Sequence, residues 1–329
     1  MGSALELAVN NFVSPVILCF LLGLAAALAR SDLSFPQAVA KGMSLYLLFA
    51  IGFKGGASVA DHGVDALLIM TLIAAVILSA GLPFLAFFLL KVMTRLSTLD
   101  AAAVAAHYGS ISIVTFVAAT SVLQAQGVAS EGFMVAVAAA MEAPAIVSAL
   151  WLISQRGDSG AQKSGMSAEL MREILLNGSI VLLVGAFAIG WITGAEGKAE
   201  IDPFITAPFK GVLCLFLLDM GLVAGRGLRE SKGAMSRGLV LFGVIMPLAG
   251  AMFGLGAGAL LGLSAGGVAL MMVLSASASY IAVPAAMRVA LPEANPAVYL
   301  TVSLGITFPF NVTIGIPIYI AVATAVIGG

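Results

Sequence analysis

Residues 105–119 read AAHYGSISIVTFVAA. The stretch is apolar at both ends, yet Gly109, Ser110, Ser112 and Thr115 crowd its middle, with His107 and Tyr108 just ahead. A second stretch, residues 275–286, reads SASASYIAVPAA and repeats the design: Ser275, Ser277, Ser279 and Tyr280 lead to Pro284. In hydrocarbon every backbone N–H and C=O needs a partner, so a helix breaks at depth only where protein or water satisfies the freed groups. Small hydroxyl residues and helix breakers inside lipid-soluble runs therefore predict two interrupted membrane helices. Their breaks face each other, and the rest of the chain holds them in place.

Composition agrees. Of 329 residues, 61% are hydrophobic and 9% charged, against about a quarter charged in a soluble domain; mean hydropathy is +1.12. Such a chain cannot cover a soluble surface, and it reads as an all-α polytopic membrane protein. Apolar runs of roughly twenty residues, the length that spans a bilayer, fall at ten places. They lie near 12–30, 35–54, 66–91, 100–122, 130–153, 173–193, 204–226, 236–263, 266–290 and 295–326. The polar, Gly/Ser-rich linker 155–171 separates a five-span repeat, 1–154, from another, 172–329. Lys41-Gly42 through Gly52 and Gly56 line up with Lys210-Gly211 through Gly221 and Gly225. Ser110 and Ser112 line up with Ser277 and Ser279, and Pro144 with Pro309. Five is odd, so the second repeat runs inverted across the membrane, as in secondary transporters. The interrupted helices are spans 4 and 9.

Positive charge sets the orientation. With the N-terminus outside, twelve of the fifteen basic residues, from Arg30 and Lys41 to Arg237 and Arg288, lie on the cytoplasmic side. Lys54, Lys198 and Lys210 lie outside, which gives external N- and C-termini. The net charge of −1 and the lack of a basic patch leave no reason to expect nucleic acid. Met1–Asn11 holds Glu6 and no Lys or Arg, so no cleavable signal peptide is expected. Cys19 and Cys214 sit in apolar runs and read as small core residues. No Walker, G-x-S-x-G or HExxH motif supports ATP-driven transport or familiar hydrolysis.

Where two helix breaks meet, half-helix N-termini offer N–H groups and positive dipole ends to an anion, while carbonyls and hydroxyls suit Na⁺. Gly109, Ser110, Ser112, Ser277, Ser279 and Tyr280 are the candidate substrate-binding residues. Ser112, Thr115, Glu142, Ser279, Thr307 and Asn311 are the candidate Na⁺ ligands. Acids inside spans are rare and usually functional, and Asp219, in LLDMGL, is the candidate coupling acid. The blander reading makes the serines close-packing residues and the acids structural hydrogen-bonders. Lys54 and Lys210 read as snorkelling to the outer interface. His107 has no Cys, His or acid at ligand spacing, so it reads as a packed or hydrogen-bonded histidine and no transition metal is expected.

Whole segments resemble a known family. DAAAVAAHYGSISIVTFVAA, MEAPAIVSAL, SASASYIAVPAAMRVALPEANPAVY and GITFPFNVTIGIPIY resemble the sodium-dependent bicarbonate transporters of cyanobacteria and their wider bacterial relatives, in order and along nearly the whole chain. FKGVLCLFLLDMGLVAG is similar to that family's seventh span. The most specific marker runs from Arg288 through Leu291-Pro292 to Ala294-Asn295-Pro296 and Tyr299. The resemblance implies crossed discontinuous helices at spans 4 and 9, with Ser110, Ser112 and Thr115 on the first and Ser277 and Ser279 on the second. It also implies Na⁺-coupled anion uptake, a homotrimer, the bacterial plasma (inner) membrane and a docked PII-type regulator on the cytoplasmic face. The chain departs from the cyanobacterial pattern in several places. Tyr280 stands where that pattern has an acid, Ala282 replaces a serine, and Ile113-Val114 replace a glycine–serine pair. Asp219 replaces an apolar residue, Glu142 an aspartate, and the linker is shorter. The reading is a Na⁺-coupled symporter for a small anion, bicarbonate first, working by alternating access. The rivals are a proton-coupled organic-acid transporter using Glu142 or Asp219, a passive anion channel and a membrane-embedded enzyme.

Overall fold

The computed structural model describes residues 15–142, 144–154, 178–230, 236–280 and 293–328, with 172, 176, 283, 284, 286, 287 and 291 besides. The linker 155–171, Met1–Asn11, Ala282, Arg288 and Pro292 lie outside the described residues. Every regular element among the described residues is helical. In chain order these are α1 (Pro15–Leu28), α2 (Gln37–His62), α3 (Ala66–Met93), α4 (Thr98–His107), α5 (Ile113–Ala125), α6 (Met134–Ala140) and α7 (Pro144–Ser154). There follow α8 (Gly178–Ile205), α9 (Phe209–Glu230), α10 (Arg237–Leu261), α11 (Ala265–Ala276) and α12 (Pro296–Ile327). Among the described residues seven helical stretches are long and apolar enough to cross a membrane, and α1, α5 and α11 are shorter apolar helices. Together they fall on the ten apolar runs.

Side-chain caps mark where polar loops meet apolar runs. Asp65 accepts from the Leu68 amide, Ser97 from Asp100, Ser236 from Leu239 and Ser264 from Gly267. α3 is apolar all round: Leu82, Phe87 and Leu90 are buried, while Ile77, Phe88 and Val92 stay exposed. That is how a helix with protein on one side and lipid on the other is built. Two boundaries differ from expectation. α2 runs past residue 54 to His62. α8 kinks at Gly194 (φ 60°, ψ −147°) and continues to Ile205, so the next helix begins at Phe209. Glu196, Lys198, Glu200 and Asp202 lower the hydropathy of this segment, but its Ala, Glu and Lys are good helix formers. Hydropathy ended the run where the helix did not end.

One group of helices is built on close glycine contacts. α1 lies along α9 and α2 along α8. A Cβ on Gly23 would overlap the Leu218 carbonyl, and one on Gly221 the Phe20 carbonyl. A Cβ on Gly52 or Gly56 would likewise strike the Leu183 or Phe187 carbonyl, and Gly190 faces that of Phe53. In both pairs residue numbers rise together along the contact, so each pair is parallel. Cys19 and Cys214 are free, half-buried thiols on the first pair. The other helices, α3–α7 and α10–α12, pack around the two breaks.

Candidate functional site

α4 stops at His107 and α5 starts only after Ser112. Gly109, at φ 121°, turns the chain where the Ser79 carbonyl, Pro83 and Ala145 leave no room for a side chain. α11 stops at Ala276, and Ser277 is extended. Each break supplies partners for the other's freed backbone. Tyr108 and Ala278 form an antiparallel bridge, and the Ser279 amide donates to the His107 carbonyl at 2.8 Å. The Ser112 amide donates to Ser277 Oγ at 3.0 Å, and Ser277 Oγ donates onward to the Leu274 carbonyl at 2.9 Å.

The hydroxyls at this crossing differ in how far they are used. Ser277 is saturated. Ser112 Oγ accepts from the Thr115 amide (3.2 Å) and from Thr115 Oγ1 (2.9 Å), capping α5 and keeping its own proton to donate. Ser110 Oγ, Ser275 Oγ, the Tyr280 hydroxyl and His107 Nε2 are buried without a hydrogen-bond partner among the described residues. Tyr280 faces Ser112 without completing a bond to it, and its ring rests edge-on against Phe308 at 5.1 Å. His107 Nδ1 donates to the Ala103 carbonyl at 2.7 Å, and its ring lies 4.8 Å from that of Tyr299.

α12 closes one side. It carries π-helical stretches at Thr301–Thr307 and Asn311–Gly315, flanking Pro309; such turns are frequent at functional sites. Thr307 Oγ1 donates to the Gly243 carbonyl (2.8 Å), so the Tyr108 hydroxyl donates to Thr307 (2.6 Å). Asn311 Nδ2 donates to the Ala276 carbonyl at the end of α11, and the Tyr319 hydroxyl donates to Asn311 Oδ1. The structure thus gathers Gly109–Thr115, Ser277–Tyr280, Thr307 and Asn311. Glu142 is half-buried in the turn before α7, and its carboxylate has no hydrogen bond or ion pair among the described residues. Asp219 is buried on α9 and lines, together with Tyr280, Gln37 and Lys41, a cavity of about 880 Å³.

Sequence reading gave no role to Ser79, Glu131 and Asp100. Ser79 Oγ donates to the Met141 carbonyl at 2.8 Å, fixing the turn before Pro144. The Glu131 carboxylate accepts from the Ser264 amide (2.6 Å) and hydroxyl (3.0 Å) at the start of α11. Asp100 accepts from the Asn295 amide (2.9 Å) and from Ser97 Oγ (2.8 Å) at the start of α4. Ser-x-x-Asp at 97–100 is legible as a capping motif, but the ties to distant loops are not. Among the described residues no group of three or more His, Cys, Asp or Glu could hold a metal ion.

The crossing can serve two charges at once. The Ile113 and Val114 amides open α5 with no carbonyl behind them, beside donating hydroxyls, which suits an anion. The carbonyl ends of α4 and α11 carry the negative pole of their dipoles, which suits a cation. A family model described as the Na⁺-dependent bicarbonate transporter superfamily matches residues 15–324. The chain belongs to this superfamily. It is therefore a multi-span membrane protein of a Na⁺-dependent transporter family, and the match takes in both breaks and every candidate residue from Gly109 to Asn311. No curated protein matches the chain.

Proposed function

We propose that the protein is a Na⁺-coupled symporter that imports a small anion, bicarbonate first, by alternating access. The observation that carries this reading is the set of buried, unpartnered hydroxyls where the two breaks meet. A buried polar group without a partner costs about 1–3 kcal/mol, and Ser110, Ser275 and Tyr280 hold three such groups. A bound anion and its cation supply the missing partners. The anion sits against Ser110, Ser112, Tyr280 and the start of α5. Na⁺ sits toward the carbonyl ends with Ser112, Thr115 and Ser279, and its charge offsets the anion's.

The inverted ten-span repeat is supported by the glycine contacts. Gly52 and Gly56 of α2 dock on α8 as Gly221 and Gly225 of α9 dock on α1. A two-fold relation that carries the first span to the sixth and the second to the seventh produces this exchange of partners. With N- and C-termini outside, the cavity reaches Tyr280 from the cytoplasmic ends of α2 and α9. It lies between the glycine-packed pairs and the crossing, the boundary along which alternating access would move one body against the other. Each charge moved through 100 mV is worth about 2.3 kcal/mol, so the Na⁺ gradient and the potential together supply the drive. A homotrimer in the bacterial inner membrane and a cytoplasmic PII-type regulator complete the proposal. Ser112→Ala and Ser279→Ala are expected to abolish Na⁺-dependent uptake in reconstituted vesicles while the protein still elutes as a folded species. Wild-type uptake in both variants rules out this site.

A further inference from the structure

α9 supplies part of the wall of the cavity that Tyr280 also lines, and Asp219 is the acidic residue among the described residues that line it. Asp219 is 6% exposed. Its carboxylate makes no hydrogen bond or ion pair with a described residue. Tyr280 lines the same cavity, and its hydroxyl is buried and has no hydrogen-bond partner among the described residues. A buried charge without a counter-charge is costly, and in a membrane span it marks an ion or proton path.

Among the described residues no cation contacts it, and the one whose charge reaches it, Arg226, is engaged elsewhere. On its own helix Arg226 lies two turns away and donates to the Leu33 carbonyl at 2.9 Å. α1 and α12, which pack against α9, contain no charged residue between Pro15 and Leu28 or between Pro296 and Ile327. From α2, Lys41 lines the same cavity but is exposed at its mouth. Tyr280 brings a phenol, which offers no positive charge. An anion leaving the crossing past Tyr280 meets this carboxylate, and two negative charges in a confined, low-dielectric space repel strongly.

We infer that Asp219 binds a small monovalent cation, Na⁺ or a proton, on the cavity wall, at a place separate from the crossing. The bound cation turns the carboxylate from a barrier to the anion into a neutral stretch of its path. This inference rests on the anion-transporter reading above.

The test uses the purified full chain in detergent. Thermal stability is followed against NaCl at constant ionic strength with choline chloride, and against pH, for wild type, Asp219→Asn, Asp219→Leu and Ser112→Ala. A cation bound only by the folded protein raises the melting temperature by mass action. If the cation is Na⁺, Asp219→Asn shifts the half-saturating Na⁺ concentration by about tenfold or removes one phase of the response. If it is a proton, the wild-type curve responds to pH and Asp219→Asn flattens that response while the Na⁺ response stays. Asp219→Leu removes the charge while keeping bulk on the wall, and serves where the amide does not fold. Wild-type responses to both ions in the Asp219 variants overturn the inference. Loss of all Na⁺ effects in the wild type overturns the symport reading instead, and the pH comparison at Asp219 can still be read.

Discussion

Ser110 and Ser277 both sit in the breaks, yet they do opposite work. Ser277 Oγ is bonded on both sides, to the Ser112 amide and the Leu274 carbonyl, whereas Ser110 Oγ has no partner. Ser277→Ala leaves a buried amide without an acceptor, so it is expected to lose roughly 1–3 kcal/mol of stability and uptake with it. Ser110→Ala removes no bond, so its melting temperature is expected to hold or rise while Na⁺-dependent uptake falls. Melting curves and vesicle uptake on the same preparations separate the two; a large stability loss in Ser110→Ala marks it as a packing residue. The sequence made the cluster legible, because hydroxyls and breakers are conspicuous in an apolar run. It could not rank the members. Whether Ser277 is saturated is decided in part by an amide 165 residues away. The acids show the same limit. Asp219 and Glu142 both stood out by depth in a span, but depth does not say which way a side chain faces, and Asp219 is the one that reaches the cavity with Tyr280.

The helices were legible where hydropathy and helix formation coincide, and missed where they part, as in α8 beyond Gly194. Their packing follows small residues. Gly42 and Gly211 have nothing within 4 Å of a built Cβ, whereas Gly56 and Gly221 would strike neighbouring carbonyls. Gly56→Ala and Gly221→Ala are therefore expected to destabilise by at least the 1–3 kcal/mol typical of overpacking. Gly42→Ala and Gly211→Ala, inside α2 and α9, are expected to be neutral or to gain about 0.5–1 kcal/mol from helix propensity. Melting temperatures of the four variants check this, and equal effects of Gly42→Ala and Gly56→Ala on α2, or of Gly211→Ala and Gly221→Ala on α9, go against the close helix contact. The half-helices α4 and α11 are tied at their starts by Asp100 and Glu131. Glu131→Gln weakens a charge-assisted tie and is expected to lower stability by about 1–3 kcal/mol. Faster hydrogen exchange should appear at residues 264–268 and not at the α4 end. Unchanged exchange there means the tie does not hold α11.

The whole molecule reads as two facing breaks held by paired parallel helices. The orientation can be read directly. In a background with Cys19 and Cys214 replaced by serine, a membrane-impermeant maleimide applied to intact cells is expected to label Gln124→Cys and to spare Ser34→Cys. The reverse pattern inverts the topology and turns the cavity at Lys41 to the outside. The all-helical, multi-span character was legible because long apolar runs recur along the chain; the cavity was not, because residues from Gln37 to Leu304 meet only in the fold. The most direct measurement is uptake of labelled bicarbonate by wild-type protein in proteoliposomes, with and without an inward Na⁺ gradient. Accumulation above equilibrium that requires the gradient is the expected result. Equal uptake with Na⁺ on both sides, or uptake that follows a pH gradient and ignores Na⁺, contradicts Na⁺ coupling at the crossing.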